Sequence, residues 1–140
     1  MLGKLSAEEI EKVLTENFVG HLGCHADGRT YVVPISYAYT DGCIWGRTFE
    51  GMKMDIIRQN PAVCFQVETI PSMSNWRSVI AWGEFEEITD PVQQTEIFDE
   101  LFTRFQKLTP VEAQISSSAV SGEVALFRIR IRSISGVAES

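Results

Sequence analysis

Residues 18–48 read FVGHLGCHADGRTYVVPISYAYTDGCIWGRT, and this stretch decides the fold. Asp27-Gly28 and Asp41-Gly42 stand between runs rich in β-branched and aromatic residues. An Asp-Gly pair in such a setting supplies the two consecutive left-handed residues that a tight hairpin turn needs. The spacing predicts three antiparallel strands, at 18–26, 29–39 and 43–48, joined as a meander. Pro34 falls inside the second. It has no N–H to give a ladder, so it marks an edge, a bulge or a gap facing a ligand.

Upstream, Ser6 and Glu9 have capping-box spacing, and Ile10, Val13 and Leu14 recur at helical intervals, which predicts a helix over 7–16. Downstream, Gly51–Asn60 reads as a short helix that ends before Pro61, because the residue before a proline is pushed out of the helical region. Strands are predicted at 62–69 and 76–88, with a loop over 70–75 between them. Asp90-Pro91 opens a helix, with Asp as N-cap and Pro at the first helical position. Its stripe of Ile97, Phe98, Leu101, Phe102 and Phe105 reads as packing. Residues 108–122 are polar and read as a loop, and 123–137 closes the chain as a strand. There Arg128, Arg130 and Arg132 alternate with Ile129 and Ile131, so the arginines share one face, which reads first as a solvated outer face. No repeat or linker interrupts the pattern, so one domain over 1–140 is expected.

Composition narrows the function. Of 140 residues, 44% are hydrophobic and 22% charged, which is ordinary for a globular protein. The net charge of -7 works against nucleic acid or an anionic membrane as partner, yet leaves room for one small anion in a locally positive pocket. No apolar leader follows Met1, and no apolar run approaches the roughly 18 residues of a membrane-crossing helix. A cytoplasmic location is the expectation. Cys24, Cys43 and Cys64 are singly spaced and read as reduced thiols in strands rather than metal ligands, and no metal site is expected.

The segment Gly46-Arg47-Thr48-Phe49-Glu50-Gly51-Met52-Lys53 carries the most chemistry. It runs from a strand end through a turn into a helix N-terminus, where outward-pointing amides and the helix dipole favour an anion. Arg47 and Lys53 add cations, Thr48 adds a hydroxyl, and Gly51 allows close approach of a ligand. The competing reading is an ordinary strand-to-helix turn with two solvated cations. No nucleophile elbow, Walker sequence or dinucleotide fingerprint is present. His21 and His25, four apart in a strand, share a face and read as packing or surface residues. An anion pocket with no evident acid, base or nucleophile points to a cofactor that carries the reactivity.

Taken together, Tyr31-Val32-Val33-Pro34-Ile35, Gly51-Met52-Lys53, Asn60-Pro61-Ala62-Val63 and Trp76-Arg77-Ser78-Val79 resemble the pyridoxamine 5′-phosphate oxidase-like FMN-binding family, in the branch of the nitroimidazole-resistance proteins. The resemblance covers roughly residues 8–137. It implies an α+β fold, a six-stranded antiparallel split β-barrel with flanking helices, that pairs as a homodimer with FMN at the interface. By position it places Lys53 on the FMN phosphate, and Gly46, Arg47 and Thr48 beside the phosphate and ribityl chain. Backbone groups of Val33, Pro34, Ile35 and Ser36 would line the isoalloxazine, and Ser78 and Val79 would touch it from the longer strand. Trp45, Trp76 and Trp82 are candidates for the dimer contact.

Two departures shape the expectation. Gly46 stands where many nitroimidazole-resistance relatives have histidine. Met52 stands where vitamin B6 oxidases often have arginine, and their closing Arg-Leu-x-Pro segment is missing after Gly136. The expected protein is therefore an FMN-dependent oxidoreductase acting on a small molecule other than these substrates. Alternatives are a flavin-binding or storage protein without catalysis, a haem-binding relative using His21 or His25, and a user of the deazaflavin F420.

Overall fold

A computed structural model describes residues 1–104 and 124–140. The elements run β1 (Leu2–Lys4), α1 (Ala7–Glu16), β2 (Val19–Ala26), β3 (Arg29–Thr40), β4 (Cys43–Phe49), α2 (Met52–Gln59), β5 (Ala62–Ser72), β6 (Asn75–Glu87), α3 (Pro91–Arg104) and β7 (Val124–Glu139). Hairpin chemistry is realised as the sequence predicts. Asp27 and Gly28 have φ of 51° and 75°, and Asp41 and Gly42 have 54° and 68°, so both residues of each turn are left-handed. The capping box of α1 is closed: Glu9 N–H donates to Ser6 Oγ at 3.2 Å, and Ser6 N–H to Glu9 Oε1 at 3.0 Å.

All strand pairs are antiparallel, in the order β1-β7-β4-β3-β2-β5-β6, and β6 pairs again with β7. That last pairing closes β2–β7 into a ring, the split barrel of the expectation. The sheet has seven strands rather than six. The extra one, β1, is three exposed residues paired with Val137–Glu139. It shows no burial pattern, so nothing in its sequence announces it. The expected 70–75 loop also shrinks, because β5 and β6 extend to a Ser72–Asn75 pair. Pro71 is accommodated at a register shift between Thr69 and Ser72, where the ladder does not need its N–H. The expected loop over 108–122 lies outside the described residues, as do the side chains of Phe98, Leu101, Phe102 and Phe105, whereas Ile97 is buried.

One apolar cluster fills the ring. Leu22, Ile35, Tyr37, Ile44, Phe65, Val67, Val79, Phe127 and Ile129 point inward, joined by Val13 and Leu14 of α1 and Met54 and Ile57 of α2. Tyr37 packs edge-on to Phe65 at 5.2 Å, and its hydroxyl donates to the Leu14 carbonyl at 2.6 Å, so the one buried phenol is satisfied. A second cluster of Ala38, Ile88, Ile97 and Leu126 seats α3 outside the ring, beside Trp45.

Strand alternation then fixes two surfaces. Arg128 and Arg130 both reach Glu86 at 2.7 Å, and Arg132 reaches Glu84 at 2.6 Å, so the arginine row is an ion-paired outer face of β6 and β7. On the other side of the ring, Val32, Pro34 and Ser36 of β3 point outward. They adjoin His21 of β2, Gln66 of β5 and Ser78 of β6 through the pairs His21–Pro34, His21–Gln66 and Glu68–Ser78. β3 pairs with β4 only from Tyr37 onward, so, among the described residues, 29–36 have one unpaired edge next to this face. Pro34 sits on that edge, where a missing N–H costs nothing. Among the described residues no helix is long and apolar enough to cross a membrane.

Candidate functional site

The strand-to-helix turn leaves the N-terminus of α2 without a side-chain cap. Gly51 caps α2, no side chain accepts the first-turn amides, and the helix begins with Met52 and Lys53. At Gly51 φ is 162°, extended backbone open to any residue, and an added Cβ would meet nothing within 4 Å. The fold itself does not require glycine there.

Lys53 is half-buried, and desolvation pushes its ammonium below the usual lysine range, with Cys24 and Glu50 opposing the shift only in part. Glu50 is engaged elsewhere: it accepts from Arg58 at 2.5 Å, and Arg58 also holds Glu87 at 2.7 Å. Among the described residues Lys53 has no ion-pair partner. A half-buried ammonium without a carboxylate beside it has electrostatic capacity left for an anion.

Arg47 and Thr48 are both buried in β4, at 4% and 5% exposure. Consecutive strand residues alternate, so Thr48 follows Ile44 and Gly46 to the interior, and Arg47 follows Trp45 to the outer layer. Gly46 lies against Phe127, which a Cβ would strike at 2.7 Å. Ile35 and Val79 are buried and Val33 packs against the core, so any ligand contact from these three comes through the backbone. Pro34, Ser36 and Ser78 turn their side chains to the outward face. The ten predicted positions thus divide between the α2 corner (Lys53), the two sides of β4 (Gly46 and Thr48 inward, Arg47 outward), the inward side of β3 and β6 (Val33, Ile35, Val79) and the outward face (Pro34, Ser36, Ser78).

The sequence missed what joins the last group. Gln66 Nε2 donates to Ser78 Oγ at 3.0 Å and to Glu68 Oε2 at 2.6 Å, and Gln66 Oε1 meets His21 Nδ1 at 3.2 Å. The signal was the polar pair Gln66 and Glu68 at spacing two in an otherwise apolar strand, but only the β2–β5 register shows that it reaches His21. A cavity of about 500 Å³ flanks the Gly51 turn against the β2–β3 hairpin, and another of about 200 Å³ lies between α3 and the β3–β4 turn. Neither is lined by the predicted positions. Cys24 is buried and Cys43 and Cys64 half-buried, all three free, and desolvation chiefly raises the Cys24 thiol above its usual range.

The profile of the pyridoxamine 5′-phosphate oxidase family matches residues 6–138. The chain belongs to this family. A crystal structure of an FAD-binding protein from Mesorhizobium loti is 32% identical over all of this chain and 99% of that one, with a TM-score of 0.83. A Bacteroides thetaiotaomicron protein assigned to 5-nitroimidazole antibiotic resistance superposes over 99% of this chain and 87% of its own, with a TM-score of 0.77 at 15% identity, which shows the fold alone. An uncharacterized protein of Rhizobium meliloti is 32% identical over 84 residues, 60% of this chain and 56% of that protein. The chain thus spans little more than half the length of that curated relative. Within the pyridoxamine 5′-phosphate oxidase family, the split barrel with its ring of antiparallel strands is the shared architecture, and the chain carries it.

Proposed function

We propose that the chain is a flavoprotein that holds FMN between two copies of itself and works as an oxidoreductase on a small molecule. The observation that carries this is Lys53, a half-buried cation with no ion-pair partner among the described residues, at the uncapped N-terminus of α2. The Mesorhizobium relative named for FAD binding supports a flavin. The monophosphate suits one lysine and one helix N-terminus, and a bound flavin would supply hydride and electron transfer. Lys53 and the α2 amides hold the phosphate. The Gly51 turn lets the backbone approach it, and Arg47 and Thr48 stiffen the strand behind. Val33–Ser36, Ser78 and Val79 face the ring from β3 and β6, with the Gly46 backbone of β4 on the ribityl side.

Exposed apolar side chains on the outward face support the homodimer. Val19 is 51% exposed, Val32 62%, Trp82 45% and Val137 45%, and strand alternation puts all four on that face. These exposed apolar side chains flank the polar row of His21, Gln66 and Ser78, and a second copy of the chain would cover them. Trp45 and Trp76 are otherwise engaged: their indole N–H groups donate to the Thr40 carbonyl at 3.1 Å and to Glu139 at 3.0 Å. Trp82 is therefore the anchor.

Titration of FMN fluorescence with purified protein, followed by mass measurement of the complex, tests the reading. Saturable binding by a dimer supports it, and a monomer that keeps FMN removes the shared site. Reduction of the bound flavin by a nicotinamide donor, with turnover, separates an oxidoreductase from a storage protein.

A further inference from the structure

The Gln66 amide makes contacts that can be satisfied in only one way. Its Nε2 meets Glu68 Oε2 at 2.6 Å and Ser78 Oγ at 3.0 Å, and its Oε1 meets His21 Nδ1 at 3.2 Å. The carboxylate of Glu68 only accepts, so the NH2 group has to face it; the flipped amide would set oxygen against oxygen. Both NH2 protons are then used, one on Glu68 and one on Ser78. Gln66 Oε1 can only accept, so His21 Nδ1 has to carry a proton. In the neutral ring this leaves Nε2 as a bare acceptor. Ser78 Oγ already accepts from Gln66, so its own hydroxyl proton is available for a further partner.

One amide therefore sets an acceptor at His21 and a donor at Ser78, on either side of it, on the exposed face next to Pro34. The edge of an isoalloxazine carries a complementary pattern: an imide N3–H donor, then the acceptors O4 and N5. We infer that Gln66 locks His21 in its Nδ1–H form so that His21 Nε2 accepts from the flavin N3–H while the Ser78 hydroxyl donates further along the same edge. The inference rests on the flavin reading above and adds His21 and Gln66 to it. His21 is then a binding residue and Gln66 a positioning residue.

N3-methyl-FMN is the probe, because it lacks only the proton that His21 would take. The wild-type protein is expected to bind it about tenfold more weakly than FMN, the worth of one hydrogen bond plus an unmet acceptor. His21→Leu should bind FMN and N3-methyl-FMN alike, and Gln66→Leu should narrow the difference. ¹⁵N NMR of wild-type apoprotein at neutral pH should show His21 protonated on Nδ1 and bare on Nε2, and Gln66→Leu should mix the tautomers. Equal affinity of the wild type for the two flavins overturns this inference alone, as does a proton on Nε2 in the apoprotein. Failure to bind either flavin overturns the cofactor reading and this inference with it.

Discussion

Replacing Lys53 with methionine separates a ligand-binding lysine from a structural one. The two side chains are similar in length, so the change removes charge with little loss of volume. In the apoprotein the ammonium is half-buried without an ion-pair partner among the described residues, and burial already holds it below the usual lysine range. Lys53→Met should therefore leave apoprotein stability unchanged or raise it by up to about 1 kcal/mol, the direction expected when a desolvated cation is removed. In the complex the same ammonium makes a charge-assisted bond to phosphate, worth about 1.5–3 kcal/mol. FMN affinity should fall roughly 10- to 150-fold. Isothermal titration gives the affinity, and urea unfolding of the apoprotein gives the stability. Lys12→Met is the control for net charge, because Lys12 is exposed and its ion-pair partner among the described residues is Glu16 at 3.9 Å. An unchanged dissociation constant refutes the anion site. A loss of affinity that comes with a loss of apoprotein stability refutes the division of roles, because Lys53 would then be holding the fold.

Gly83→Ala should cost roughly 3 kcal/mol or more, because the new Cβ would run into the backbone carbonyl of Arg130, which cannot give way; an unfolding midpoint like the wild type's would contradict this. Tyr37→Phe strands the Leu14 carbonyl that the hydroxyl satisfies at 2.6 Å, so unfolding free energy should drop by about 1–2 kcal/mol, and a neutral change would show that water replaces the phenol. Tyr39 is pushed up to about 12, first by burial and then by its hydrogen bond to Glu11. The folded state holds that proton longer than the unfolded chain, so stability should decline as pH rises from about 10 to about 12, and ultraviolet titration should show a late phenolate that Tyr39→Phe removes. Trp82→Glu should shift the dimer toward monomer in sedimentation, whereas an unaltered mass would move the interface elsewhere on the surface.

Local chemistry made most of the fold legible. The Asp27-Gly28 and Asp41-Gly42 turns, the Ser6–Glu9 capping box and the Asn60-Pro61 stop each act over a few residues, and each stands where the sequence puts it. β1 was not legible because its three residues are exposed and held mainly by backbone bonds to the end of β7. The 70–75 segment misled because a proline and serines signal a loop, whereas a register shift lets the ladder pass. The candidate site was legible in its charged part, where Gly51 and Lys53 are neighbours in sequence. The His21–Gln66–Ser78 chain spans three strands, and its partners in sequence are 45 and 12 residues apart. Only register brings them together. Burial was equally hidden: in sequence Arg47 reads as a cation beside an anion or, alternatively, on a solvated turn, and it is 4% exposed in the barrel wall.

A crystal structure of the protein grown with FMN tests the central claim most directly. The account predicts one flavin per subunit, with its phosphate within hydrogen-bond distance of Lys53 Nζ and the α2 amides. The ring should lie over Pro34, His21 and Ser78 and be covered by a second copy of the chain. A flavin bound with its phosphate away from Lys53, or a ring seated in the cavity beneath α3, would contradict it.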